Sequence, residues 1–198
     1  MNNFALFGVP MIGADICGFA EDTTEELCNR WIQVGAFSPF SRNHNIEGAL
    51  PQELYRWDSV AESSRMVLRL RYQLLPHLYT LMFNAHFFGN TVHNAMWMHF
   101  PHDPEAHTHD AQYMWAGSIL FTPVVEEGAT SVEGYFPYGM WYSLLDDSVI
   151  DCTEGGQSIT LDTPANATNV HVRGGHIVPM QDYANTTEGS TVLIKRYI

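Results

Sequence analysis

The first forty-five residues alternate between dense apolar runs and short polar tips. Phe4, Ala5, Leu6, Phe7, Val9, Met11 and Ile12 form a nearly continuous apolar stretch, which predicts a buried strand. Gly13 follows, where the missing side chain lets the backbone pass close to a neighbour, and Asp15 stands at the tip. Asp22 or Thr23 is the expected cap of the next element, with Glu25 and Glu26 favourable at a positive helix end. Leu27, Trp31 and Val34 then recur with helical spacing up to Gly35. A second short apolar segment, Ala36, Phe37, Pro39 and Phe40, ends in Arg42 and His44, which point the same way if the chain stays extended. Strand, helix and strand, with polar residues at the downstream end of both strands, is the repeating unit of a (β/α) barrel, whose active face is built from those ends.

Residues 47–56 read as an irregular connection. Ser59 and Glu62 have the spacing of a capping box, and Val60, Ser64, Val67, Leu68, Leu74, Leu75, Leu78, Leu81 and Met82 supply the buried side of a long helix. Arg65, Arg69 and Arg71 interrupt it, their stems expected over apolar surface and their heads in water or on carboxylates. Pro76 is expected to kink or divide this helix. From Thr91 the texture changes to short strands between Gly and Pro turns, beginning with Met96, Trp97 and Met98 and continuing through 113–117, 119–125 and 134–142. That is the pattern of an antiparallel sandwich.

A length of 198 residues with 45% hydrophobic content can bury the core of one or two domains. A complete eight-unit barrel, at roughly 250 residues, does not fit. The formal charge of −13, from 22 acidic against 9 basic residues, argues against nucleic acid and anionic membrane surfaces as partners. The sequence has no membrane-spanning run and no signal peptide, and its first residues read as the middle of a fold, so Met1 is expected not to be the true start.

Asp15 is the residue that packing alone explains least. Beside Ile16 and Cys17 it either caps an Asx turn or is held by strong hydrogen bonds in a pocket, because an unpaired buried carboxylate is too costly to keep. His44 sits among Arg42, Asn43 and Asn45, where no apolar face is available to bury it. His99, His102, His107 and His109, with Asp103 and Asp110, resemble a metal cluster, but their spacing fits no regular ligand pattern and a solvated loop is expected. Trp97, Tyr113, Trp115, Tyr135, Phe136, Trp141 and Tyr142 are expected to fill a sandwich core rather than form a carbohydrate platform.

Gly-Ala-Asp-Ile-Cys-Gly-Phe at 13–19, Arg-Trp-Ile-Gln-Val-Gly-Ala-Phe at 30–37 and Pro-Phe-Ser-Arg-Asn-His-Asn at 39–45 together resemble the α-glucosidases of glycoside hydrolase family 31. Arg71-Tyr72, Leu75-Pro76 and Tyr79 match a further recurrent pattern with His77 in place of the usual tyrosine, and 171–179 is similar to the family's all-β domain. The fold class this implies is α/β plus all-β: residues 1–90 as the C-terminal end of a (β/α)8 TIM barrel, then 91–198 as an antiparallel β-sandwich. The resemblance also implies that Asp15 and Phe19 line the subsite of the non-reducing glucose, that Arg42 and His44 stand at the rim of the last strand, and that Cys17 and Cys28 form a disulfide, with Cys152 left over. Asn94 stands where the family usually has an arginine.

The family's two catalytic aspartate segments, one of the Trp-Ile/Leu-Asp-Met-Asn-Glu type and one Gly-Asp-Asn, do not occur here. Retaining hydrolysis needs two carboxyl groups about 5 Å apart, so no catalytic residue is assigned, and no cofactor or metal is implied. Two readings follow. One is the end of a retaining α-glucosidase acting on an α-glucoside or maltooligosaccharide, completed by a missing upstream barrel portion in the same chain or a partner chain. The other is a non-catalytic carbohydrate-binding or structural β-domain with a barrel remnant. A parent in the secretory pathway, lysosome or vacuole is expected, where Asn166 and Asn185, in Asn-Ala-Thr and Asn-Thr-Thr triplets, are glycosylation acceptors.

Overall fold

The apolar run at the start does not form a strand. In the computed structural model, which describes residues 1–187 and, as backbone only, 192–196, Asn2–Leu6 is a short helix, α1, and Phe4, Leu6, Phe7, Val9 and Met11 are exposed. A continuous apolar run serves helix and strand equally well, and Gly8, at φ +75°, turns the chain before the run ends. What remains of the parallel pair lies further on. The Phe40 N–H donates to the Ile12 carbonyl at 2.8 Å, the Ile16 N–H to that of Arg42 at 2.9 Å, and Ile16 pairs with Asn43 in one parallel bridge. Gly13 makes this approach possible, since a Cβ there would collide with the carbonyl oxygen of Phe40.

Helix α2 (Glu25–Gly35) is capped by Thr24, not Asp22 or Thr23; its hydroxyl accepts from the Leu27 N–H at 3.2 Å. The buried face is Cys28, Asn29, Ile32, Gln33 and Gly35, whereas Leu27 is exposed and Trp31 and Val34 are half-buried. The expected stripe is therefore the outer one. The inner face carries polar side chains because they grip a distant turn: the amides of Asn29 and Gln33 both donate to the Ala165 carbonyl at 2.7 Å, and Arg30 donates to the carbonyls of Ala129 at 2.7 Å and Thr163 at 3.0 Å.

Helix α3 (Asp58–Phe88) starts at Trp57 without a side-chain cap, and the expected capping box is absent. Ser59 lies inside the helix, where its hydroxyl donates to Glu25 and joins α3 to α2. The helix runs unbroken through Pro76. Proline cannot serve the carbonyl of Tyr72, but the Gln181 amide does so at 2.9 Å. Arg71 meets no carboxylate among the described residues; its guanidinium donates to the carbonyls of Ala36, Ser38 and Pro39 at 2.6, 2.7 and 3.0 Å, closing the end of α2.

The second half is antiparallel, as expected. Strands β1 (His93–Ala95), β2 (Tyr113–Trp115), β3 (Ile119–Thr122), β8 (Asn169–Arg173), β5 (Gly139–Ser143) and β6 (Val149–Cys152) form one sheet in that spatial order. Strands β4 (Ser131–Phe136) and β7 (Gln157–Asp162) pair separately, as do β9 (Ile177–Gln181) and β10 (Val192–Arg196). The large sheet is buried on both faces. Tyr113, Trp115, Ile119, Phe121, Val170 and Val172 join the core of α2 and α3, with the Trp115 indole donating to the Phe37 carbonyl at 2.8 Å. Met114, Leu120 and Trp141 face the other way, toward Tyr135, Phe136, Ile159 and Leu161 of the β4–β7 pair. Of the aromatic series, Tyr135, Phe136 and Trp141 are thus sandwich core, Tyr113 and Trp115 fill the layer between the sheet and the helices, Trp97 is exposed and Tyr142 is half-buried.

Residues Met96–Met98 form a 3-10 turn instead of a strand. The histidine loop is only partly solvated. Asn94, fully buried, donates to His99 Nε2 at 2.6 Å; His107 donates to the Pro101 carbonyl at 3.1 Å; and His109 stacks on Tyr135 with ring centroids 5.2 Å apart. His102 and Asp110 are exposed.

Candidate substrate site at two strand ends

The backbone pairing of Ile16 with Asn43 fixes what stands beside it. Asp15 and Arg42 meet across the pair, Nη2 to Oδ1 at 2.9 Å. Phe19 and His44 lie next to each other with ring centroids 5.5 Å apart. All four residues singled out in the sequence therefore converge on one rim. Asp15 pairs with Arg42 at a partly exposed position, not in a buried pocket. Arg42 also lies 5.5 Å from the Phe40 ring. The ion pair is partly exposed, 49% and 24% for its two side chains, and such a pair contributes at most about 1 kcal/mol to folding. Its charges are available to hydroxyl groups arriving from solvent.

Between Asp15 and Phe19 the chain turns sharply. The Gly18 N–H donates to the Asp15 carbonyl at 3.0 Å, and Cys17 and Gly18 both take positive φ, 71° and 93°. Cys17 is bonded to Cys28 of α2, with Cα atoms 4.2 Å apart, so the loop is fastened to the helix that follows it. Closing a loop of this length stabilises by about 3 kcal/mol in the chain-entropy model. Behind the rim two side chains were not marked by the sequence. Asn43 donates to the Gln52 carbonyl at 2.8 Å, and the Gln52 amide reaches the carbonyls of Ile16 and Gly18, both at 3.1 Å, and Asn43 Oδ1 at 3.0 Å. Asn43 lies within a recognised motif, but Gln52 sits in an irregular connection where only the fold shows its contacts.

The strand ends thus present a carboxylate, a guanidinium, an imidazole and a phenyl ring on one rim, backed by an antiparallel sheet, as the end of a (β/α) barrel does. The family model of the glycosyl hydrolases family 31 TIM-barrel domain matches residues 1–81, and that of the glycosyl hydrolase family 31 C-terminal domain matches 89–178. The chain belongs to glycoside hydrolase family 31. It is 50% identical over 187 residues to an α-glucosidase of Hordeum vulgare, covering 94% of this chain and 21% of the relative. It is 47% identical over 204 residues to the lysosomal α-glucosidase of Rattus norvegicus, with the same coverage of 94% and 21%. The solved glucose complex of the Flavobacterium johnsoniae dextranase superposes with a TM-score of 0.86 at 30% identity, covering 92% of this chain and 23% of that one. The chain spans about a fifth of these relatives.

Proposed function

We propose that this chain is the substrate-gripping end of a retaining α-glucosidase that removes terminal α-linked glucose from an α-glucoside or maltooligosaccharide. Asp15, Phe19, Arg42 and His44 hold the non-reducing sugar: the charged and imidazole groups take its hydroxyls, and Phe19 closes an apolar side. The observation that carries this reading is the convergence of all four on one rim across the Ile16–Asn43 bridge. The rim grips without cleaving. Hydrolysis by retention needs a nucleophile and a proton donor on opposite sides of the bond, and both come from an upstream barrel portion in the same chain or a partner chain. Phe4, Leu6, Phe7, Val9 and Met11, exposed here, are the apolar surface such a portion would cover. Residues 1–90 supply the barrel end and 91–198 the β-domain.

The test is a chimera in which this chain replaces the matching segment of the Hordeum vulgare enzyme, assayed on an aryl α-glucoside beside the chain alone. The chimera should hydrolyse it and the chain alone should not. His44→Ala in the chimera should lower kcat/KM by at least tenfold, because a hydrogen bond to the reacting sugar strengthens as the ring flattens toward the transition state. Turnover by the chain alone, or an unchanged kcat/KM in His44→Ala, would overturn the assignment.

No helix among the described residues is long and apolar enough to cross a membrane. With a lysosomal relative and a disulfide at Cys17–Cys28, a secretory, lysosomal or vacuolar lumen is the compartment we assign. Asn166 and Asn185 are both exposed and are the proposed glycan sites. Peptide mapping of the natively exported protein without reduction should recover the Cys17–Cys28 pair as one species and show glycosidase-sensitive mass at Asn166 and Asn185. Free thiols at both cysteines would contradict the compartment.

A further inference from the structure

We infer that Gln52 is a positioning residue for the sugar-binding rim, its buried side-chain amide holding the loop of Asp15 and Phe19 in register with the segment of Arg42 and His44; this rests on the rim's role in binding. Gln52 is 4% exposed and lies behind the rim. Its Nε2 reaches the carbonyls of Ile16 and Gly18, which flank Cys17, and the side-chain oxygen of Asn43, which lies between Arg42 and His44. Asn43 returns a bond to the Gln52 backbone. One amide thus joins the two halves of the rim.

The loop needs such a hold. Cys17 is a non-glycine residue in the left-handed region, and that geometry persists only where neighbours over-determine it. The disulfide anchors Cys17 sideways to α2, while the Gln52 amide holds the Ile16–Cys17 peptide just before it and the Gly18–Phe19 peptide one bond beyond it. Gln52 Oε1 is buried without a hydrogen-bond partner among the described residues, a cost that an apolar side chain of the same length would avoid. The donors are what make glutamine worth keeping there. Binding and catalysis are steep in this coordinate, since displacing a reacting or binding group by about 1 Å costs on the order of 100-fold.

The experiment uses the active chimera with Gln52→Met, which keeps the length and loses the donors, and Gln52→Glu, which turns acceptors toward the Ile16 and Gly18 carbonyls. Both should lower kcat/KM on the aryl α-glucoside about 10- to 100-fold, raise the inhibition constant of a monosaccharide-shaped iminosugar in parallel, and accelerate amide exchange at residues 13–19. The Gln52→Glu loss should shrink as pH falls, because the protonated carboxyl regains a donor, while the Gln52→Met loss should not; that difference assigns the loss to the donor and not to side-chain length. Should Gln52→Glu fail to fold, Gln52→Met carries the test. A kcat/KM within twofold of the parent in Gln52→Met, while His44→Ala costs tenfold, would overturn the positioning role and leave the site intact. If His44→Ala costs nothing, the site reading falls, and unchanged exchange at 13–19 in Gln52→Met would overturn the positioning role as well.

Discussion

Replacing Gly13 by alanine will destabilise the protein by about 3 kcal/mol, the upper part of the range for forcing volume into a packed site. The clash is with the backbone oxygen of Phe40, which no side-chain rotation relieves. The Phe40–Ile12 hydrogen bond and the Ile16–Asn43 bridge lie on either side of it, so the same change opens the rim. Gly35→Ala should act similarly, because its Cβ would enter the side chain of Ile16. Gly48 offers the contrast: it has φ +89° and open space, so Gly48→Ala should cost only the backbone preference, about 1 kcal/mol. Thermal unfolding of the chimera would order the three. Equal losses at Gly13 and Gly48 would refute the close-approach account.

Acid should loosen the joint between α3 and the sheet before any carboxylate is lost. His77, His99 and His171 are held neutral by burial, their pKa values lowered from 6.5 to about 4, and His93 to about 3. His77 bonds Ser118 at 2.8 Å and feels His176; His99 feels Arg173 and His176, all disfavouring added charge. Asp146 works the other way on His171. A lowered histidine pKa means that the unfolded chain binds more protons below pH 6.5. Its stabilisation is complete above 6.5, declines as pH falls toward about 4 and then levels off. One such histidine accounts for about 3 kcal/mol over that interval. Asp146, lowered from 3.8 to about 2 by its bonds to Ser143 and Ser148, gives stability that is complete above 3.8 and is lost only as pH falls from there toward about 2, below the histidine window. The melting temperature should therefore fall between pH 6.5 and 4, and His77→Asn with His93→Asn should flatten the fall even if both lower stability at neutral pH. An unchanged slope in the double variant would remove these histidines as its cause.

Much of the rim was legible because the residues that bind also lie in the segments that pair. Gly13, Asp15, Arg42 and His44 carry their spacing in the sequence, and the backbone contact between 12–16 and 40–43 turns that spacing into proximity. Hydropathy misled where polar side chains are buried by bonding to remote carbonyls. Asn29, Arg30 and Gln33 make the inner face of α2 read as its outer one, while the helically spaced Leu27 is exposed. Pro76 read as a break because the partner of the orphaned Tyr72 carbonyl, Gln181, lies 109 residues away. Gln52 was invisible for the same reason: its partners are 34 and 36 residues upstream. Each of these misses rests on a long-range hydrogen bond that no local pattern announces, whereas the apolar run at 4–12 fails as a strand for a local reason, the helix–strand ambiguity of such runs.

The large sheet is walled in on both sides, by α2 and α3 on one face and the β4–β7 pair on the other. The seam in the chain near Gly89 is therefore no seam in cohesion. Exchange of the β-domain between relatives would tear Trp115 from Phe37, Gln181 from Tyr72 and the turn at 163–165 from its clamp on α2. A replacement that keeps these contacts has to carry α2, α3, the large sheet and β9 together as one block.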